Sequence, residues 1–96
     1  MSESRAEWTF LTNHAHVLLC IAQDVEIRLR DLAAKVGITE RAVQRIVSEL
    51  EVTGYITRQR NGRRNRYQVH TQQPLRHTIE EHRSVKDLMQ LILRRS

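Results

Sequence analysis

The chain of 96 residues is short of the features that build cross-linked or membrane-spanning structures. It has one cysteine, Cys20, so an intramolecular disulfide is excluded. No apolar run approaches the roughly 20 residues that are needed to cross a bilayer. The polar N-terminus is followed by no signal-peptide core. We therefore expect a small cytoplasmic protein that has no membrane partner.

Motifs for catalysis are also missing from the sequence. There is no glycine-rich phosphate loop, no nucleophile elbow and no acidic pair with a plausible cleft. Cys20 lies in an apolar run over residues 17–22, where a thiol behaves as a small hydrophobic side chain. We therefore predict no catalytic residues, no cofactor and no enzymatic activity.

Five histidines and one cysteine raise the question of a metal site. His16 and Cys20 are four residues apart and can share one helix face, and His14 is close by. A metal ion needs three or four converging ligands, which the neighbouring positions do not supply. We predict no metal site, although His77 and His82 in the tail leave a small metal-responsive protein open as an alternative.

The positive charge is concentrated in one part of the chain. The formal net charge of the whole sequence is +5. Residues 28–66 hold ten basic and four acidic side chains, a net charge of +6, whereas the remaining residues hold six and seven, a net charge of −1. This concentration favours a polyanionic partner, of which nucleic acid is the most common.

The middle of the chain carries the spacing of a helix-turn-helix. Ala33 allows two helices to approach closely, Gly37 permits the turn between them, and branched residues on the following helix fill the crossing. We predict one helix over residues 30–36 that ends at Gly37, and a longer helix that is capped by Thr39 and ends near Thr53. The buried stripe of the longer helix is predicted to be Val43, Ile46, Val47 and Leu50.

The segment before this motif predicts a helix and a short extended piece. We expect the helix to have Asn13 as its N-cap and to end near Gln23. Trp8 and Phe10 precede the cap, and they either pack back on the helix as a hydrophobic staple or form a separate helical turn. Residues 27–29 alternate inward, outward and inward, which is typical of a short extended piece.

The segment after the helix-turn-helix predicts a β-hairpin and a last helix. We expect strands over residues 55–60 and 66–70 on either side of Asn61-Gly62, with a connecting loop longer than two residues. Asp87 stands three residues after Ser84, as in a capping box, so the last helix should begin directly after Ser84.

The exposed side of the third helix is the candidate reader of DNA bases. An α-helix fits the major groove, and arginine, glutamine and glutamate side chains match the donors and acceptors on base edges. The alternative is an ordinary solvated helix face. The candidate base-reading residues are Thr39, Glu40, Arg41, Gln44 and Arg45.

Five arginines lie within residues 58–66 with no acid among them. Such arginines repel one another when nothing is bound, which favours phosphate contacts over a solvated loop. We expect one or two of them at the hairpin tip to enter the minor groove. The candidate backbone-contacting residues of the chain are Arg28, Arg30, Ser48, Arg58, Arg60, Arg63, Arg64 and Arg66.

The chain resembles the winged helix-turn-helix family of bacterial transcriptional regulators, of the MarR type and the ArsR type. The resemblance covers about residues 10–70 and is carried by residues 13–19, 27–33, 36–43 and 50–56. It implies a mostly α-helical fold with a small antiparallel hairpin, in which a three-helix core bears a recognition helix, an arginine-rich wing and a C-terminal helix. Both flanks are shorter than in the full MarR-type pattern, and the ArsR-type cluster of cysteine and histidine is absent.

The resemblance implies a sequence-specific regulator that binds double-stranded DNA as a homodimer, with no effector identified. We expect residues 1–72 to form the DNA-binding domain and residues 73–96 to form an extension that either packs on its own chain or dimerises. The alternative function is a winged-helix adaptor for protein or RNA. The dimer candidates are Trp8, Phe10, Leu88, Met89, Ile92 and Leu93.

Overall fold

The computed structural model describes residues 7–94 of the chain. Within this range it contains four helices and a two-stranded antiparallel sheet. In chain order the elements are α1 (Asn13–Gln23), α2 (Leu29–Val36), α3 (Glu40–Val52), β1 (Ile56–Asn61), β2 (Arg64–Val69) and α4 (Val85–Leu93). This order of three helices, a hairpin and a last helix is the predicted one. None of the helices described here is long and apolar enough to span a bilayer.

The turn between α2 and α3 is made by Gly37, whose φ of 85° lies in the left-handed region. The Gly37 N–H donates to the Ala33 carbonyl and so ends α2. Thr39 then caps α3 by accepting a hydrogen bond from the Ala42 N–H. The predicted ends of both helices are confirmed within one residue, because a glycine stop and a threonine cap are local signals.

One hydrophobic core joins the first three helices, the hairpin and the start of α4. The largest fully buried side chains are Ile21, Leu32, Ile46, Ile56, Val17, Val43, Val47 and Val85. The buried stripe of α3 consists of the four predicted residues. This stripe fixes α3 to the core on one side, so its opposite side faces solvent.

The N-terminal cap of α1 lies one residue earlier than predicted. Thr12, rather than Asn13, occupies the cap position and accepts a hydrogen bond from the Ala15 N–H. Trp8 and Phe10 form neither a staple nor a helical turn. Their rings contact each other edge to face at 5.0 Å, and Phe10 is 92% exposed.

The segment between α1 and α2 is not a strand. The predicted alternation of burial over residues 27–29 is present, but Leu29 already begins α2. A backbone hydrogen bond of 2.8 Å from the Tyr67 N–H to the Val25 carbonyl fastens this segment to β2. It therefore places the following residue, Glu26, beside the hairpin.

The hairpin turn is shorter than predicted. The two strands pair up to Asn61 with Arg64, so that Gly62 and Arg63 alone connect them. Gly62 has a φ of 66°, whereas no non-glycine residue of the described chain has a positive φ. This is the φ pattern of a type II′ turn, which joins antiparallel strands with two residues. The second strand therefore begins two residues earlier than the sequence suggested.

The loop between β2 and α4 is closed at its base. Pro74 and Ser84 form an isolated antiparallel bridge, and the Leu75 N–H donates to the Arg83 carbonyl at 2.9 Å. The Tyr55 hydroxyl donates to the Pro74 carbonyl at 2.5 Å. These bonds anchor the loop to the start of the hairpin.

The last helix begins at the predicted residue with the predicted capping box of Ser84 and Asp87. Val85 in its first turn is fully buried, and α4 lies against α1. Leu91 and Ile92, in contrast, are 76% and 44% exposed. The C-terminal extension thus packs on its own chain on one side and presents an apolar side to solvent.

Leu32→Ala is expected to lower the free energy of unfolding by about 2–5 kcal/mol, because it leaves a cavity in the core. Ile79→Ala is the control, since Ile79 is 77% exposed and lies in the loop before α4; its expected effect is within about 0.5 kcal/mol. Urea unfolding followed by circular dichroism measures both. Equal losses in the two variants would contradict the assignment of Leu32 to the core.

A side-chain hydrogen bond joins α1 to α3. His14 Nε2–H donates to Glu49 Oε1 at 2.6 Å. This hydrogen bond, helped by the charge of Arg45, holds the pKa of the Glu49 carboxyl below its ordinary value. A carboxylate whose pKa is lowered by folding adds stability above its ordinary pKa, and this stability is lost as the pH falls through the lowered value.

Glu49→Gln is therefore expected to lower the melting temperature above about pH 5. In stronger acid its effect should vanish, because the protonated Glu49 of the wild type is then uncharged, as the glutamine of the variant is. Melting curves of the wild type and the variant over a pH series measure the difference. Glu81→Gln is the control, because Glu81 is exposed. A Glu49→Gln effect of equal size at every pH would show that the charge of the carboxylate is not the cause.

Candidate nucleic-acid interface

The exposed side of α3 carries one polar stripe. Arg41, Gln44, Arg45 and Ser48 stand at helical positions i, i+3, i+4 and i+7, so they share one face. All four are exposed, and so are Thr39 and Glu40 at the start of the helix. The structure therefore keeps every predicted base-reading residue out of the core.

One acid beside this stripe escaped the sequence analysis. Glu49 Oε2 lies 3.8 Å from Arg45 Nη1, and its other oxygen accepts the hydrogen bond from His14. The spacing of four residues from Arg45 to Glu49 was a usable signal, whereas the contact with His14 spans 35 residues. Arg45 thus shares its charge with an acid, while Arg41 has no ion pair within residues 7–94.

Arg28 and Arg30 are exposed at the N-terminal end of α2. Arg28 is the N-cap residue, and no side chain caps this helix. The backbone N–H groups of the first turn and the two guanidinium groups together attract anions, although Asp31 in the same turn offsets part of the charge. The placement is suited to the predicted backbone contacts.

The hairpin divides its arginines between two faces. Arg58 is paired with the buried Tyr67, so its side chain projects toward the core side of the hairpin. Arg66 is adjacent to Tyr67 in β2 and projects to the opposite side. By the same alternation Arg60 shares the face of Arg58, Arg64 shares the face of Arg66, and Arg63 lies in the turn.

Three of the five hairpin arginines have acidic partners, so the prediction of an arginine cluster without counter-charges was wrong. Arg58 Nη2 donates to Glu51 Oε1 at 2.9 Å. Arg66 Nη1 donates to Glu26 Oε2 at 2.8 Å, and Arg64 Nη1 lies 3.9 Å from Glu26 Oε1. The partners come from outside the hairpin, so the sequence of residues 58–66 alone does not indicate them.

Arg60 and Arg63 are exposed, and in the described part of the chain no acid lies within 4.0 Å of them. Both are close to the hairpin turn. Folding therefore concentrates the unpaired positive charge of the hairpin toward its tip.

No spacing rule predicts the partner of Arg66, because Glu26 precedes it by 40 residues.

A cleft of about 390 Å³ contains two of the five candidate metal ligands. His16 and Cys20 line it together with Lys35. Burial raises the pKa of the Cys20 thiol, and a protonated thiol is a poor ligand and a poor nucleophile. In residues 7–94 no three histidine, cysteine or acidic side chains are grouped so as to hold a metal ion.

A larger open groove of about 890 Å³ lies where the N-terminus of α1 meets the end of α3, the loop after β2 and α4. Phe10 and Leu88 line this groove, whereas Ile92 and Leu93 line the smaller cleft. Met89 packs against the core. Four of the six predicted dimer candidates thus line two separate concavities, Met89 packs inward, and Trp8 lines neither concavity.

Comparison with known proteins supports the resemblance drawn from the sequence. The family model described as the MarR family matches residues 12–65. These residues run from the cap of α1 to the start of β2 and make up more than half of the chain. They include the whole of α3 and the hairpin turn.

A solved structure shows the same winged helix-turn-helix fold. It is MepR, described as a transcription regulator of the Staphylococcus aureus multidrug efflux pump MepA, with a TM-score of 0.52 and 23% sequence identity. The match covers 62% of this chain and 47% of MepR, so the chain spans about half the length of that protein. No curated protein matches the sequence. Because the family model covers the helix-turn-helix and the hairpin turn together, the chain belongs to the MarR family.

Proposed function

We propose that this protein is a non-enzymatic transcription regulator that binds double-stranded DNA in a sequence-specific manner. The observation that carries the proposal is α3, which buries one stripe in the core and exposes arginine and glutamine on the other. A helix held in this way can enter a major groove with its N-terminal half foremost. Membership of the MarR family and the description of MepR as a transcription regulator support the same function.

Arg41 and Gln44 are the main base-reading residues in this proposal. Arginine can bond to guanine O6 and N7 together, and glutamine can bond to adenine N6 and N7. Both side chains are exposed in the N-terminal half of α3. Thr39, Glu40 and Arg45 flank them, and Arg45 contributes less because it also faces Glu49.

The remaining predicted arginines and Ser48 contact the DNA backbone. Arg60 and Arg63 are the strongest candidates, because they are exposed near the hairpin tip and have no acid within 4.0 Å in the described range. Phosphate contacts supply affinity without sequence preference, and a tip arginine can also enter the minor groove. Arg28 and Arg30 at the start of α2 add further backbone contacts.

Arg41→Ala and Gln44→Ala are each expected to reduce discrimination between cognate and unrelated duplexes by about 1–3 kcal/mol, with little change in binding to unrelated DNA. The cognate duplex is first selected from a random duplex library. Fluorescence anisotropy titrations with both duplexes then measure the difference. Equal losses on the two duplexes would show that these side chains do not read bases.

Arg60→Ala and Arg63→Ala are expected to weaken binding to every duplex and to reduce the salt dependence by about 0.9 per lost phosphate contact. Arg76→Ala is the control, because it removes the same charge from the loop after β2. If the two hairpin variants bind DNA as well as the control at low salt, the backbone role of the hairpin is wrong. Tighter binding of the wild type to RNA than to duplex DNA would favour the RNA-binding alternative.

We further propose that the protein binds DNA as a homodimer, with one α3 in each of two half-sites about 34 Å apart. Two groups of exposed apolar side chains support a self-contact. One group is Trp8 and Phe10 before α1, and the other is Leu91 and Ile92 on α4. Burial of such groups against a second copy removes apolar surface from water.

Phe10→Ser and Ile92→Ser are expected to shift the protein toward a monomer in sedimentation-velocity experiments over a concentration series. Ile79→Ser is the control, because Ile79 is also largely exposed but lies in the loop before α4. A wild type that sediments as a monomer at every concentration would contradict a dimer in the absence of DNA.

A further inference from the structure

One carboxylate faces both arginines on the outer side of the hairpin. Glu26 Oε2 accepts a hydrogen bond from Arg66 Nη1 at 2.8 Å, and Glu26 Oε1 lies 3.9 Å from Arg64 Nη1. Glu26 belongs to the segment between α1 and α2, and not to the hairpin. The fold therefore brings a negative charge from a distant part of the chain to a candidate phosphate-binding surface.

The position of Glu26 is determined by the backbone on both sides of it. Its own N–H donates to Asp24 Oδ1 at 3.1 Å. The carbonyl of Val25 accepts from the Tyr67 N–H, and Ile27 is buried in the core. Tyr67 is adjacent to Arg66 in β2 and is itself buried. Two anchored segments thus present the carboxylate and the guanidinium to each other.

A carboxylate and a phosphate use the same donors of an arginine side chain. Both present two oxygens to the planar guanidinium group. The side chains of Glu26 and Arg66 are 38% and 54% exposed, so DNA can reach the pair. An ion pair at this exposure contributes little to stability and can exchange partners.

We infer that Glu26 competes with DNA phosphates for Arg66 and Arg64. In the free protein the Glu26 carboxylate occupies these two arginines, and it thereby lowers the affinity of the protein for any duplex. The inference rests on the proposed function. It assigns a role in DNA binding to Glu26, which is not one of the residues proposed to contact DNA. On binding, a phosphate displaces Glu26 or meets its negative charge nearby. In either case the free energy of association with DNA is less favourable than it would be if the hairpin arginines had no acidic partner.

The ion pair of Arg58 and Glu51 provides an internal contrast. Arg58 lies on the core side of the hairpin with 29% of its side chain exposed, and its partner is part of α3. This pair connects the hairpin to the helix, so it holds the two parts of the interface together. The pair of Glu26 and Arg66 is more exposed and lies on the opposite face, where competition with a phosphate is possible.

Glu26→Gln tests the inference, because glutamine keeps the size of the side chain and removes its charge. With a short mixed-sequence DNA duplex at low salt, the variant is expected to bind about three- to ten-fold more tightly than the wild type. The salt dependence is expected to steepen by up to about 0.9 for each arginine that gains a phosphate contact. Glu81→Gln changes the net charge equally in the loop before α4 and is expected to have a smaller effect.

A double variant shows whether Glu26 acts through its partner. In an Arg66→Gln background, Glu26→Gln is expected to gain clearly less affinity than in the wild type, because the two effects are coupled. Thermal melting by circular dichroism verifies that each variant is folded. A full gain without Arg66 would overturn the inference, since the effect would then be that of overall charge.

The remaining outcomes separate this inference from the proposed function. If the wild type binds the duplex and Glu26→Gln binds equally well or equals Glu81→Gln, competition by Glu26 is overturned while DNA binding stands. Weaker binding of Glu26→Gln also overturns it, and would show that Glu26 orients the arginines for DNA. If neither protein binds any duplex, the proposed function fails and the inference fails with it.

Discussion

The seating of α3 on the core is the constraint on which the rest of the molecule depends. Val43, Ile46 and Val47 are buried against the first two helices, and the turn at Gly37 determines where α3 begins. Because burial uses one stripe of the helix, the opposite stripe is held in solvent in a defined direction. A helix without this packing could not present arginine and glutamine side chains at fixed positions, and the hairpin would have no helix beside which to lie.

Ion pairs determine how many arginines of residues 28–66 have no acidic partner and where these arginines lie. Glu26 and Glu51 engage arginines of the hairpin, and Glu49 engages Arg45. Exposed pairs of this kind add little to the stability of a protein. Their larger effect is on the electrostatic field, because they decide which guanidinium groups remain available for an anion. The surface available to phosphate is therefore narrower than the count of arginines suggests.

The apolar side chains of the last helix are divided between the core and the solvent. The amphipathic C-terminal helix offered two alternatives, packing on its own chain or contact with a partner. The structure shows that Val85 packs inward and that Leu91 remains exposed. One helix thus provides a face for the core and a separate face for solvent or a second copy. Trp8 and Phe10 contact each other outside the core, although a staple or a helical turn was expected of them.

The sequence by itself determined the elements that depend on neighbouring residues. The glycine stop of α2, the threonine cap of α3, the capping box at Ser84 and the buried stripe of α3 involve contacts within one or two helical turns, and periodicity reveals them. The hairpin was also predicted, because Asn61-Gly62 is a local turn signal. The exposed residues of α3 followed as the complement of its buried stripe.

The tertiary structure alone decided the features that join distant parts of the chain. Thr12 and Asn13 are both suitable caps, and in the folded chain Thr12 occupies the cap position. The hairpin register depends on pairing across the whole hairpin, which left two residues in the turn. The acids that face the hairpin arginines lie outside its local sequence, and Glu26 precedes Arg66 by 40 residues. Charge composition counts such residues but carries no information on which of them meet, because only the folded backbone brings them together.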